Sequence, residues 1–130
     1  MNYSGCRYID DYIRLIESGE RRACEEQKLL VEKVKKAFEE EELTVNTEQL
    51  EKYLSYLKYF PFDFVEWEYF CFALHNCIYD SDGELRWPEM LILIGRGGGK
   101  NAYLAFEDFC LITETNGVRN YDINICANSE

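Results

Sequence analysis

Met90-Leu91-Ile92-Leu93-Ile94-Gly95-Arg96-Gly97-Gly98-Gly99-Lys100-Asn101 carries more architectural information than any other part of the chain. Five apolar residues predict a buried strand, the glycines a tight loop, and the residues after Lys100 the start of a helix. Glycine takes positive φ at low steric cost, so successive backbone N–H groups of such a loop can turn into one concavity. The helix that follows adds unpaired N–H groups and roughly half a positive charge at its first turn. Lys100 supplies a mobile ammonium. This is the composition of a phosphate-binding loop. The general pattern G-x-x-x-x-G-K-[ST] would put glycine at position 94 and a hydroxyl residue at 101, whereas this chain has Ile94 and Asn101. Gly99-Lys100 keeps its strand–turn–helix setting.

Downstream, Tyr103, Leu104, Phe106, Phe109, Cys110, Leu111 and Ile112 have helical spacing, and Asn116-Gly117 breaks it. Tyr121-Asp122-Ile123-Asn124-Ile125-Cys126 alternates as a second strand. The expected fold class is therefore α/β: a helical N-terminal region followed by the first βαβ part of a P-loop NTPase fold. Upstream, Asp82-Gly83 marks a tight turn, and Leu85-Arg86-Trp87 is expected to pair with the strand leading to Ile94. The aromatic stretch from Phe64 to Ile78 is helical in period and reads as core. Helices are also predicted over Tyr8 to Ile16, closed by Ser18-Gly19, and from about Arg21 to the acidic run Glu39–Glu42. A further helix begins at Asn46, an N-cap with Gln49 at the third helical position. Charge-rich helices give way to aromatic sequence at Pro61, which sets expected boundaries of 1–60 and 61–130.

The 130 residues suffice for one ordinary core. A net charge of −11 opposes autonomous binding to a phosphate backbone. No apolar run approaches a membrane span and the polar start is no signal peptide, so a soluble, cytoplasmic protein is expected. Six scattered cysteines then read as free thiols, mostly buried. His75, the one histidine, shares a helix face with Cys71, but the four ligands of a zinc site are not in the pattern and core packing is favoured.

Triphosphate hydrolysis also needs an acid to hold Mg²⁺ and a carboxylate to position water. Phe106-Glu107-Asp108 has that look, yet it lies on the helix leaving the loop, so Glu107 and Asp108 are expected on its surface. The metal and water ligands are missing from the chain, and hydrolysis by these residues alone is not expected.

Gly95-Arg96-Gly97-Gly98-Gly99-Lys100 resembles the phosphate loop of terminase large subunits from tailed bacteriophages and prophages. Tyr8-Ile9-Asp10-Asp11-Tyr12 with Ser18-Gly19 is similar to that family's start, and Pro61-Phe62-Asp63-Phe64-Val65-Glu66-Trp67 to its segment before the ATPase core. Ile125-Cys126-Ala127-Asn128-Ser129-Glu130 resembles the strand end after its first crossover helix. The resemblance implies an ATPase that drives DNA into capsids, with a nuclease domain in the full-length protein, working in the bacterial host cytoplasm. It implies ATP and Mg²⁺ as cofactors. For the full-length motor it implies double-stranded DNA, the portal and the small terminase subunit as partners, and a homo-oligomeric ring. It assigns Lys100 and Arg96 to catalysis and Gly95, Gly97, Gly98, Gly99, Lys100, Asn101 and Ala102 to the phosphates, with Asn101 near the metal. Trp67 and Glu68 would lie by the base, where the family usually has glutamine in place of Glu68. A non-catalytic helical interaction module and another P-loop ATPase, such as a helicase-like protein, remain alternatives.

Overall fold

A computed structural model describes residues 3–95 and 99–126. Helix α1 (Arg7–Glu17) forms because Ile9, Tyr12, Ile13 and Ile16 recur every three or four residues and share one buried face. Gly19, at φ 77°, ends it as expected. The residues ahead of α1 fold back over its first turns. There the buried Asp10 carboxylate accepts from the backbone N–H and hydroxyl of Ser4 (both 2.8 Å) and from the Gly5 N–H (3.2 Å).

Helix α2 (Glu25–Glu40) starts later than Arg21, where the Cys24 N–H donates to the Gln27 side chain. It buries Val31, Val34 and Ala37. Its end is tied down by Arg86, which grips Glu41 with two nitrogens. Asn46 caps α3 (Thr47–Ser55) as its sequence predicts, accepting from the Gln49 N–H at 3.0 Å. A 3₁₀ turn (Tyr56–Tyr59) follows, then α4 (Glu66–Asn76), α5 (Lys100–Leu111) and a 3₁₀ turn at Glu114–Asn116. β1 (Thr44–Val45) and β2 (Ile78–Tyr79) form a short antiparallel ladder, Thr44 opposite Tyr79 and Val45 opposite Ile78.

One apolar core draws on residues from Cys6 to Cys110. At one end α1 packs on α4, with Tyr12 against Phe70. At the other, α5 is held on α4 by rings. Phe64 stacks on Tyr103 at 5.5 Å and meets Phe106 edge-on at 5.0 Å, while Phe72 closes on Phe106 at 5.5 Å. Such pairs add about 0.5–1.5 kcal/mol each beyond burial.

The expected α/β architecture is overturned. Among the described residues there are five α-helices and one two-stranded antiparallel ladder, with no parallel βαβ sheet. Residues 88–95 and 121–126 carry no regular secondary structure and are joined to no strand among the described residues. Leu91 and Leu93 are 83% and 85% exposed, and Ile125 is 80% exposed. The physical reason is that strand propensity measures fit to a neighbouring, half-buried surface. With no strand to pair with among the described residues, the ribbon at 88–95 keeps Met90, Ile92 and Ile94 half-buried, Ile92 against the core, and leaves Leu91 and Leu93 out. Leu85 likewise bridges Tyr79 in place of the segment leading to Ile94, because the turn at Asp80–Gly83 folds it back onto β2. No helix among the described residues is long and apolar enough to cross a membrane.

Phe106→Ala should cost about 3–5 kcal/mol in urea denaturation, the usual penalty for emptying a fully buried aromatic site. Asn46→Ala should cost about 1 kcal/mol through the lost cap. Leu91→Ala should stay within about 0.5 kcal/mol of wild type. A Leu91 effect as large as that of Phe106 would contradict the exposed position of the ribbon.

Candidate functional site

The helix start at α5 is built by three local features. Gly99 stands at its N-cap in the left-handed region, φ 85° and ψ 9°. A Cβ there would sit 3.8 Å from Glu68 Oε2, an ordinary contact, so backbone angle and not space is what calls for glycine. The Tyr103 N–H makes the first helical bond, to the Gly99 carbonyl at 3.1 Å. The amides of Lys100, Asn101 and Ala102 therefore precede the helical ladder, and among the described residues none finds a backbone or side-chain acceptor. Lys100 and Asn101 are exposed and Ala102 is half-buried.

Residues 67 and 68 approach this helix start from α4. The aromatic cluster that seats α5 brings Trp67 into a near-parallel stack with Tyr103, centroids 6.1 Å apart. Glu68 is buried, its Oε1 accepting from the Val65 N–H at 2.9 Å while its Oε2 lies toward Gly99. Burial raises the Glu68 carboxyl above the usual range, opposed by the Val65 N–H and helped by nearby Asp63.

Of the residues singled out by sequence, the structure thus gathers Trp67, Glu68, Gly99 and Lys100 within one small region. Gly95 ends the exposed ribbon with open space around it. Arg96, Gly97 and Gly98 lie outside the described residues.

Glu107 corrects the sequence reading. It was expected on the helix surface, yet it is buried, 7% exposed. Asn76 Nδ2 donates to its Oε2 at 3.2 Å, and His75 Nε2 lies 3.7 Å from its Oε1. Burial, and then the Glu107 carboxylate, push the Tyr103 phenol up. The Cys71 thiol is pushed up to about 12 by burial, with Glu107 and Glu68 adding to it, so it is held as an unreactive thiol. A signal for this polar cluster was in the sequence. Tyr103, Phe106, Glu107 and Cys110 fall at i, i+3, i+4 and i+7, which puts Glu107 in the middle of the apolar face. A carboxylate on that face needs partners, and α4 supplies them.

Among the described residues no group of three or more His, Cys, Asp or Glu could hold a metal ion. Comparison with protein-family models, curated proteins and solved structures found no match.

The raised Glu68 carboxyl makes a testable statement about stability. The fold favours its neutral form, so native protein keeps a proton that the unfolded chain releases at lower pH. That contribution is whole below the unfolded carboxyl value of about 4.3 and is lost as pH rises through the higher folded value. Glu68→Gln keeps an acceptor for Val65 and cannot ionise. In urea titrations it should therefore gain on wild type from pH 4 to pH 7. A gap that stays constant over that range would show that Glu68 is not destabilised by ionising in the fold.

Proposed function

We propose that the start of α5 binds the phosphates of ATP, and that the chain serves as the ATP-binding part of a terminase-like DNA-packaging ATPase. The observation that carries this reading is Gly99 in the left-handed region at the N-terminus of a twelve-residue helix, followed by Lys100 and faced by Glu68 and Trp67. The amides of Lys100, Asn101 and Ala102, without an acceptor among the described residues, suit anionic oxygens, and the helix dipole adds to their field. Lys100, exposed on the first turn, has the reach to neutralise the outer phosphates. Burial makes the charged form of Glu68 costlier here than in water and raises its carboxyl. As a carboxylate it can accept from an amino group at the edge of a base.

Mg²⁺ fits less fully. Asn101 offers one amide oxygen on the exposed first turn, and a magnesium ion bound there would take its other ligands from phosphate and water. Such an ion would neutralise charge on the phosphates. This chain's own residues bind and orient: the helix start holds the phosphates, Lys100 screens them, and Trp67 and Glu68 border the base. Glu68 Oε1 is engaged by the Val65 N–H, which ties the carboxylate to the start of α4 instead of to a water. The chain alone should therefore bind ATP and turn it over slowly. In the packaging reading, coupling to double-stranded DNA, portal and small subunit belongs to a homo-oligomeric ring formed by a longer protein.

A second reading, a helical interaction module, draws on the apolar groove of about 890 Å³ that α2 and α4 form with the ribbon at 86–94, where Leu30 and Leu91 stand open. Nucleotide binding separates the two. Calorimetric titration with ATP should show binding that Lys100→Ala weakens at least about tenfold, the worth of one charge-assisted contact. Gly99→Val should weaken it too, because a β-branched residue resists positive φ. No binding by folded wild type, or equal binding by Lys100→Ala, would remove the phosphate site. In the same preparation, phosphate release should be close to background. Brisk hydrolysis lost in Lys100→Ala would mean that the chain holds a working base after all.

A further inference from the structure

His75, at the end of α4, reaches two separate pieces of chain. Its Nδ1 lies 2.8 Å from the Trp87 carbonyl oxygen. A carbonyl can only accept, so Nδ1 carries a proton and donates it there. Its Nε2 lies 3.7 Å from Glu107 Oε1. Trp87 begins the ribbon that enters the glycine loop, and Glu107 lies two turns into the helix that leaves it. Among the described residues these two arms share no ladder. They meet through one imidazole and one carboxylate, with Asn76 holding the other carboxylate oxygen.

The strength of that meeting turns on one proton. With Nδ1–H committed to Trp87, a neutral ring turns the lone pair of Nε2 toward a carboxylate oxygen. A second proton converts the contact into N–H⁺ facing O⁻. The two side chains are 16% and 10% exposed, so water screens neither state well. The groups around the pair are the Asn76 amide and Cys71 thiol on α4, the Tyr103 phenol on α5, and Glu68 one turn further back on α4. Arg86, next to Trp87, is turned away to Glu41. No lysine or arginine among the described residues is bonded to Glu107, which leaves His75 as its source of positive charge. Tyr103 carries the linkage one turn closer to the loop, its hydroxyl 3.9 Å from the sulfur of Met90 on the entering arm.

We propose that His75 is a positioning residue for the Gly99–Lys100 site, drawing the entering ribbon and the leaving helix together through Glu107 when its ring takes a second proton. The consequence for nucleotide rests on the phosphate-site reading above; the coupling of His75 to Gly99 does not. Imidazole is the side chain whose ordinary charge change lies near neutral pH, which sets the range over which the test is run.

His75 is the single histidine of the chain, so its ring gives one set of nitrogen signals in a long-range ¹H–¹⁵N spectrum. The expected result is Nδ1 protonated at every pH and Nε2 gaining its proton as pH falls, with the backbone amides of Gly99 and Lys100 shifting at the same midpoint. His75→Asn keeps an N–H for the Trp87 carbonyl and cannot take the second proton, so its Gly99 and Lys100 amides should no longer follow that midpoint. If His75→Asn does not fold, Glu107→Gln serves: its ring should still titrate, at a lower midpoint, while the loop amides stop following it. ATP affinity of wild type should be about fivefold or more tighter at pH 6 than at pH 8, beyond any change seen in His75→Asn. Loop amides that ignore the ring in wild type, or that still follow the same midpoint in His75→Asn, overturn the proposal. Wild type that binds no ATP at either pH overturns the phosphate reading instead, and the amide shifts then decide the positioning role by themselves.

Discussion

The seating of α5 on α4 is the constraint from which the rest of the site follows. Phe106 and Tyr103 lodge against Phe64 and Phe72, and once they are in place the helix start can only lie beside Glu68 and Trp67. Ring packing is shape-selective, since edge-on and offset arrangements are preferred over free rotation. It therefore fixes both the axis of α5 and its rotation. That rotation turns Glu107 inward, and burying a carboxylate then obliges α4 to offer Asn76 and His75. The polar cluster is thus a consequence of the aromatic one. Its link to Trp87 carries the constraint on to the ribbon that precedes the loop.

The same constraint bears on how an acidic chain could take an anion at the helix start, as proposed above. The excess negative charge is spread along the chain, residues 25–42 carrying seven acids against four lysines, and Glu25, Glu26, Glu32 and Glu39 to Glu42 face solvent or Lys and Arg partners. Near Gly99 the acid beside the helix start, Glu68, is buried, and burial raises its carboxyl. Charge at a distance in water is screened within about 8 Å at physiological salt. What a phosphate would meet is local: Lys100 and three amides that bond to no acceptor among the described residues.

Elements whose determinants are local could be read from sequence. The apolar spacing of Ile9, Tyr12, Ile13 and Ile16 defines α1, Asn46 caps α3 through its own neighbour Gln49, and Gly83 takes the positive φ that the Asp82-Gly83 turn anticipates. The adjacency of Glu68 to Gly99, thirty-one residues apart, was not legible, because no local rule joins them. The reading failed where the outcome depended on a neighbour. Met90–Ile94 has the composition of a buried strand, yet burial requires something to bury against, and among the described residues no strand lies beside it. Glu107 failed for a different reason: carboxylates on helices are so often solvated that its place within the apolar stripe was outweighed, although the stripe itself was visible.

The pairing of α1 with α4 has a consequence for how the chain comes off the ribosome. Ile9, Ile13 and Ile16 are covered largely by a helix that begins at Glu66, so their apolar face stays open while some fifty intervening residues are made. α2 can shield part of it in the interval, since it packs on the same helix. Closure waits for Phe70 to reach Tyr12. Folding during synthesis is thereby delayed to a late, non-local event, and the nascent N-terminus is the part of this protein with most to gain from a chaperone that holds exposed apolar helices.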